Sequence, residues 1–118
     1  MAERIAMIYI KIHKAGKGSV APGVLVAMCD SKLIDSVLSE GDVHMDLKTY
    51  SSFYKGTLVG KEEAKKKLSA MNDIYSVNAV GEESVEVALD AHLIEKGNVL
   101  RVQGVPYAHA YKVDVKAD

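Results

Sequence analysis

The chain has 118 residues, of which 48% are hydrophobic, 26% charged and 6% aromatic, with two prolines and a formal net charge of -1. That composition excludes a disordered chain, which carries fewer apolar residues and more net charge, and the length leaves no room for a second independent core. A near-zero total charge supplies no overall field to steer a nucleic acid or a membrane surface.

A single cysteine, Cys29, excludes an intrachain disulfide and fits a reducing compartment. Met1-Ala2-Glu3-Arg4 is not a basic region leading into a long apolar stretch. The longest apolar run, residues 24–29, falls far short of the ~20 residues a spanning helix needs. The expectation is a soluble cytoplasmic protein with no membrane partner.

Residues 5–13 read as a strand, with Ile8, Ile10 and Ile12 on one face and Met7, Tyr9, Lys11 and His13 on the other. Residues 14–23 hold three glycines and a proline, which is loop chemistry. Residues 24–28 are continuously apolar, as in a strand covered on both faces. The first two elements are therefore expected to form an antiparallel hairpin with a long tip. Asp30 or Ser31 can cap a short helix over residues 32–39, with Leu33, Ile34, Val37 and Leu38 as its apolar face and Gly41 ending it. Residues 42–48 alternate as a half-buried strand. Residues 49–56 are irregular and Tyr-rich, and a short apolar run follows at 57–59.

Residues 61–71 predict a helix on the spacing of Ala64, Leu68 and Met71, with i,i+4 pairs Glu62–Lys66 and Glu63–Lys67. Residues 73–80 are a strand. Gly81 turns the chain into a third helix reaching Ile94, with Val85, Ala88, Leu89 and His92 along one stripe and Gly97 beyond it. Residues 99–103 and 107–115 are strands joined by Gly104-Val105-Pro106. The order strand–helix–strand–helix–strand over residues 57–103 implies a partly parallel sheet, and the terminal hairpins imply antiparallel pairing. The expected fold is a single α+β domain over residues 1–118, a mixed β-sheet of about five to six strands with about three helices.

Met7-Ile8-Tyr9-Ile10-Lys11-Ile12, Val26-Ala27-Met28-Cys29-Asp30, Val77-Asn78-Ala79-Val80-Gly81-Glu82 and Val102-Gln103-Gly104-Val105-Pro106-Tyr107-Ala108-His109 follow one another in a distinctive order. Together they resemble a small archaeal family of conserved proteins of unknown function, with Phe53-Tyr54-Lys55-Gly56 as a further shared piece. The resemblance covers residues 7–109, and its weight lies in the order of the stretches. It implies an archaeal, cytoplasmic, single-domain protein and carries no established activity or catalytic residue. In the family pattern His, Ala and Gln follow the Gly-Val-Pro turn. Here Tyr107 stands at the His position and His109 at the Gln position, so any chemistry resting on that His is changed or moved. The loop of residues 14–23 is longer than in the relatives.

Cys29 ends a strand beside an expected helix start, where backbone N–H groups favour a thiolate and Asp30 opposes it. Its alternative role is a small buried hydrophobe. The Val80-Gly81-Glu82-Glu83 junction has the shape that cradles phosphate, but its two glutamates repel one, and no glycine-rich motif surrounds it. Asn78 places an amide in an apolar strand and needs a partner. His13, His44, His92 and His109 form no metal-ligand motif. His44-x-Asp46 is a common spacing and His92 reads as a core histidine, so no metal and no cofactor are expected.

Tyr107, His109 and Tyr111 share one face of the last strand, as Tyr9, Lys11 and His13 do on the first. If the two strands are neighbours, these side chains make one surface on which bases stack at ~1–3 kcal/mol each while lysines track phosphates. Lys14, Lys17 and the Lys65-Lys66-Lys67 run would extend it. The alternative is a Tyr face packed beneath a helix with its hydroxyls reaching water. Charge is polarised: Arg4, Lys11, Lys14 and Lys17 oppose Glu3 alone in residues 1–20, whereas Glu82, Glu83, Glu86, Asp90 and Glu95 stand without Lys or Arg in residues 82–95. The favoured reading is a small binding module for RNA or a ribonucleoprotein or translation component. The alternative is a small enzyme or small-ligand protein whose pocket gathers Cys29, Asn78 and the turn from Gly104 through Pro106 to His109. A third reading is an interaction subunit that uses the acidic helix.

Overall fold

The structure is a computed structural model and describes residues 6–14 and 23–111. In chain order its elements are β1 (Met7–Lys14), β2 (Val24–Asp30), β3 (Val37–Glu40), β4 (Val43–Asp46), α1 (Ser51–Tyr54), β5 (Thr57–Gly60), α2 (Lys61–Ser69), β6 (Ile74–Val80), α3 (Glu82–Asp90), β7 (Leu100–Val102) and β8 (Val105–Tyr111). Six strands make one mixed sheet in the order β5-β1-β2-β6-β8-β7, and β3 and β4 form a separate two-stranded sheet. β1 and β2 pair antiparallel as expected. The tip joining them, the expected residues 112–115 of the last strand, and Arg4 and Lys17 lie outside the described residues. The fold class is α+β, as the pattern of elements predicts.

The parallel pair is β2 with β6. After β5 returns antiparallel beside β1, α2 carries the chain over β1 and β2 to the far side of the sheet. α2 and α3 cover one face. Ile8, Ile10, Val24, Val26, Met28, Val59, Val77 and Ala79 meet Ala64 and Leu68 of α2 and Val85, Val87 and Ala88 of α3 in the main core. Full burial stabilises each large aliphatic side chain by about 1.5–3 kcal/mol. No helix among the described residues is long and apolar enough to cross a membrane.

Three expectations are corrected. Residues 32–39 are not a helix: a 3-10 turn spans Ser31–Leu33, Asp35 takes φ 73°, and Val37 opens β3. Leu47 N–H donates to Ser36 O at 2.8 Å and Asp35 N–H to Leu47 O at 3.2 Å, pinning the kink. Leu33, Ile34 and Leu38 still turn inward against Cys29 and Leu47, so the apolar spacing of a helix face is met by a bent, extended path. Gly41, at φ 60°, starts the two-residue turn of the β3–β4 hairpin instead of ending a helix.

The third helix stops at Asp90, short of Ile94. His92 takes φ 60°, its N–H donates to Leu89 O and that of Leu93 donates to Ala88 O, the pairing of a Schellman stop. His92 is consequently exposed, not a core histidine. The last hairpin turns on Gln103 (φ 50°) and Gly104 (φ 79°), and Val105 and Pro106 already belong to β8.

A candidate binding face on the open side of the sheet

Side chains alternate across a strand, so the residues between the core-facing ones of β1, β2, β6 and β8 share the face opposite α2 and α3. Register sets them in three rows: Tyr9–Cys29–Val80–Tyr107, Lys11–Ala27–Asn78–His109 and His13–Leu25–Ser76–Tyr111. The two terminal strands are therefore not neighbours, because β2 and β6 lie between them. Three interstrand spacings put the two sets of side chains roughly 14 Å apart. They form two ridges on one face, not one continuous patch. None of the twelve positions is Asp or Glu.

The first ridge is built by β1 with α1. The His13 ring stacks on Phe53 at 4.5 Å between centroids, and its Nε2 lies 2.8 Å from Phe53 O. A carbonyl oxygen only accepts, so Nε2 carries the proton. Lys11 Nζ donates to Ser52 O at 2.8 Å, and Lys55 Nζ sits 5.9 Å above the Tyr9 ring. The second ridge is on β8. The His109 and Tyr111 rings lie 5.0 Å apart, and Tyr75 meets Tyr111 edge-on at 5.7 Å. His109 and Tyr111 are exposed, whereas Tyr9, Lys11, His13 and Tyr107 are half-buried.

One end of this face is roofed. The β3–β4 hairpin and Tyr54 of α1 bury Cys29, Val80 and Leu47, with Leu38, Met45 and Tyr107 around them. Gln103 latches the roof: its side-chain oxygen accepts from Ser39 N–H at 2.8 Å, and its own N–H donates to Glu40 Oε1. Burial, reinforced by the charge of Asp30, pushes the Cys29 thiol up to about 12. Its Sγ donates to Asp30 O at 3.4 Å. This is a protonated core thiol, the opposite of an activated one. Burial likewise raises Tyr54 to about 12.

Asp30 caps a helix, but not the one next to it. Its carboxylate accepts from Glu83 N–H at 3.1 Å and from Ser84 N–H and Ser84 Oγ–H at 2.8 Å each, filling the N-terminus of α3. Burial raises its pKa while these three bonds pull it down. A Cβ on Gly81 would lie 2.2 Å from Asp30 Cγ. An acid of the protein itself thus occupies the place where a phosphate would sit.

The pocket expected from Cys29, Asn78, Gly104 and Pro106 is not assembled. Cys29 and Asn78 belong to the open face, Gly104 is at a hairpin tip, and Pro106 lines a groove of about 290 Å³ beside α3 on the other face, with Glu82, Leu89 and Arg101. The lysine run on α2 also lies on that other face and does not extend the ridges. Lys61 pairs with Glu83 and Glu86 at 3.3 and 2.8 Å, and Lys65 pairs with Asp90 at 3.0 Å, so ion pairs join α2 to α3. Asp46 is tied to its own loop, accepting from Lys48 and Thr49 N–H. Among the described residues no cluster of three His, Cys, Asp or Glu is placed to hold a metal ion.

Two features escaped the sequence reading. Phe53 and Lys55 complete the first ridge, and only the position of α1 reveals it. Ser76, 1% exposed, carries a buried hydroxyl with no hydrogen-bond partner among the described residues, and a serine inside an apolar run was its one sequence signal.

A family model described as protein of unknown function (DUF424) matches residues 19–113. The chain belongs to the DUF424 family. This agrees with the resemblance carried by the four ordered stretches. The DUF424 fold recurs in the crystal structure of an uncharacterized conserved protein from Methanopyrus kandleri, which is 26% identical, with 90% of this chain and 91% of that chain covered and a TM-score of 0.71. A comparison with curated proteins gives no match.

Proposed function

We propose that this DUF424 protein is a binding module that takes single-stranded RNA, free or within a ribonucleoprotein of the cytoplasm, on the open face of its sheet. One observation carries the reading: beyond the roofed end, two cross-strand rows set lysine and histidine on one ridge and histidine and tyrosine on the other, and contain no carboxylate. Exposed rings offer stacking surfaces to unpaired bases, and Lys11 with Lys55 supplies cations for the backbone. On the opposite face Lys61 and Lys65 are engaged with Glu83, Glu86 and Asp90, which leaves those two lysines tied to α3. The small-ligand alternative has its four residues divided between the open face, a hairpin tip and the groove beside α3, and its Cys29 thiol is held protonated.

A filter-binding titration with unstructured RNA at several salt concentrations tests the proposal. Binding should weaken with salt at a log–log slope of about -2, the value for two to three phosphate contacts on a single strand. Tyr111→Ala and His109→Ala should each weaken it by roughly 1 kcal/mol or more. Binding at background level, or binding indifferent to both substitutions, would sink it.

A further inference from the structure

The roof carries a groove of its own. β4 and α1 enclose about 350 Å³, with Met45 and Asp46 on the strand side and Tyr50, Phe53 and Tyr54 on the helix side. The Phe53 and Tyr54 rings stand edge-to-face, 85° apart with centroids at 5.0 Å, so they make two walls at right angles. Tyr50, 65% exposed, brings a third ring to the rim. Apart from the tyrosines, Asp46 and His44 are the only titratable groups in this lining, which holds no Lys or Arg. The two grooves on the helix side differ, one carrying Lys65 and Lys66 and the other Lys96 and Arg101. The N–H groups of Thr49 and Lys48 both donate to Asp46 Oδ1, and these bonds, that of Thr49 foremost, hold the carboxyl below its ordinary value. Asp46 makes no ion pair among the described residues.

Such a lining selects among ligand chemistries. An anion meets an ionised carboxylate with no Lys or Arg in the lining to offset it. A neutral apolar group would strip water from that carboxylate and return nothing. A bare Mg²⁺ or Ca²⁺ needs a set of oxygen ligands that one carboxylate does not supply. A cation with an apolar skin suits both halves of the groove, because aromatic rings attract it through their quadrupoles and the carboxylate through its charge. We propose that this groove binds a methylated ammonium group, carried by a small free amine or by a methylated lysine side chain of a partner protein. Tyr50, Phe53 and Tyr54 surround the methyl groups, Met45 adds a polarizable thioether, and Asp46 supplies the counter-charge. The proposal does not depend on the reading of the sheet face as an RNA platform, although Phe53, on which His13 stacks, belongs to both.

Nuclear magnetic resonance titration of the intact chain with choline and with its neutral isostere dimethylbutanol tests it. Choline should shift the amide signals of residues 44–54 and bind about ten-fold more tightly than the alcohol. Asp46→Asn keeps an oxygen for the Lys48 and Thr49 N–H groups and should weaken choline about five-fold. Tyr50→Ala, at an exposed position that leaves the fold intact, should do the same, whereas Tyr50→Phe should bind like the parent. A trimethyl-lysine peptide that binds more tightly than choline, while its unmethylated form does not, assigns the group to a protein side chain. The reverse order assigns it to a free amine, and both results support the site. Equal binding of choline and the alcohol, choline binding indifferent to Asp46→Asn and Tyr50→Ala, or no shift at all overturns it.

Discussion

Replacing Asp30 with alanine strips α3 of its cap. The carboxylate accepts three hydrogen bonds at 2.8–3.1 Å, from Glu83 N–H, Ser84 N–H and Ser84 Oγ–H, and Ser84 is fully buried. A lost helix cap costs about 0.5–2 kcal/mol, and a buried donor left without a partner costs roughly 1–3 kcal/mol. Alanine also removes the desolvation penalty that raises the carboxyl pKa, which offsets part of the loss. The net destabilisation expected for Asp30→Ala is about 2–4 kcal/mol, a large fraction of the ~5–15 kcal/mol that holds an ordinary domain together. Asp30→Asn keeps an oxygen for Ser84 and should lose roughly half as much. Urea unfolding followed by circular dichroism measures both, with an unchanged m-value confirming that stability alone has moved. A loss below about 1 kcal/mol for Asp30→Ala at constant m would refute the assignment of Asp30 as the anchor of α3.

The roofed end of the sheet makes three further expectations. Cys29 rises from 9.0 to about 12 and Tyr54 from 10.0 to about 12. The folded state therefore keeps protons that the unfolded chain releases, and the stability from these groups is complete below about pH 9 and lost as pH climbs toward 12. For Cys29 alone the loss is on the order of 4 kcal/mol, and a native thiolate absorbance titrating near pH 9 would contradict it. Gln103→Ala removes the acceptor for Ser39 N–H. It should speed labelling of Cys29 by a neutral thiol reagent about five-fold, the equivalent of ~1 kcal/mol, and an unchanged labelling rate would mean the latch does not hold the roof. Gly81→Ala places a Cβ 2.2 Å from Asp30 Cγ at φ 108°. It should cost on the order of 2–4 kcal/mol, and a thermal melt indistinguishable from the parent would show that the junction yields.

The strands and long helices were legible where periodicity is local. The alternation of Ile8 and Ile10, the apolar run of β2 and the spacing of Ala64 and Leu68 all map onto observed elements. The stretch from Leu33 to Leu38 was not, because a kinked chain turns Leu33, Ile34 and Leu38 inward once Asp35 accepts a positive φ, leaving only Val37 outside. Long-range facts were also hidden. Asp30 lies 53 residues before the amide of Glu83 that it caps, and no local pattern announces such a partner. The site was half legible: period two placed Tyr9, Lys11 and His13 on one side of β1, and Tyr107, His109 and Tyr111 on one side of β8. The β1–β2 hairpin was legible, but the crossover that brings β6 between β2 and β8 depends on packing of α2 and α3, which sequence spacing does not encode.

The edges of the six-stranded sheet have a consequence for how the molecule tolerates its neighbours. β5 and β7 are only four and three residues long, so each offers an incoming strand a short register. β1 continues past its last β5 partner, Ile10 opposite Thr57, and there α1 takes over. Gly56 approaches so closely that a Cβ would lie 2.9 Å from Lys11 Cα, and Ser52 O and Phe53 O hold the side chains of Lys11 and His13. The turn that raises the first ridge thereby also screens the free backbone of β1, the row of unpaired groups that most readily templates aggregation. Lengthening the segment between Tyr54 and Thr57 would loosen both at once, turning a binding defect into a solubility defect.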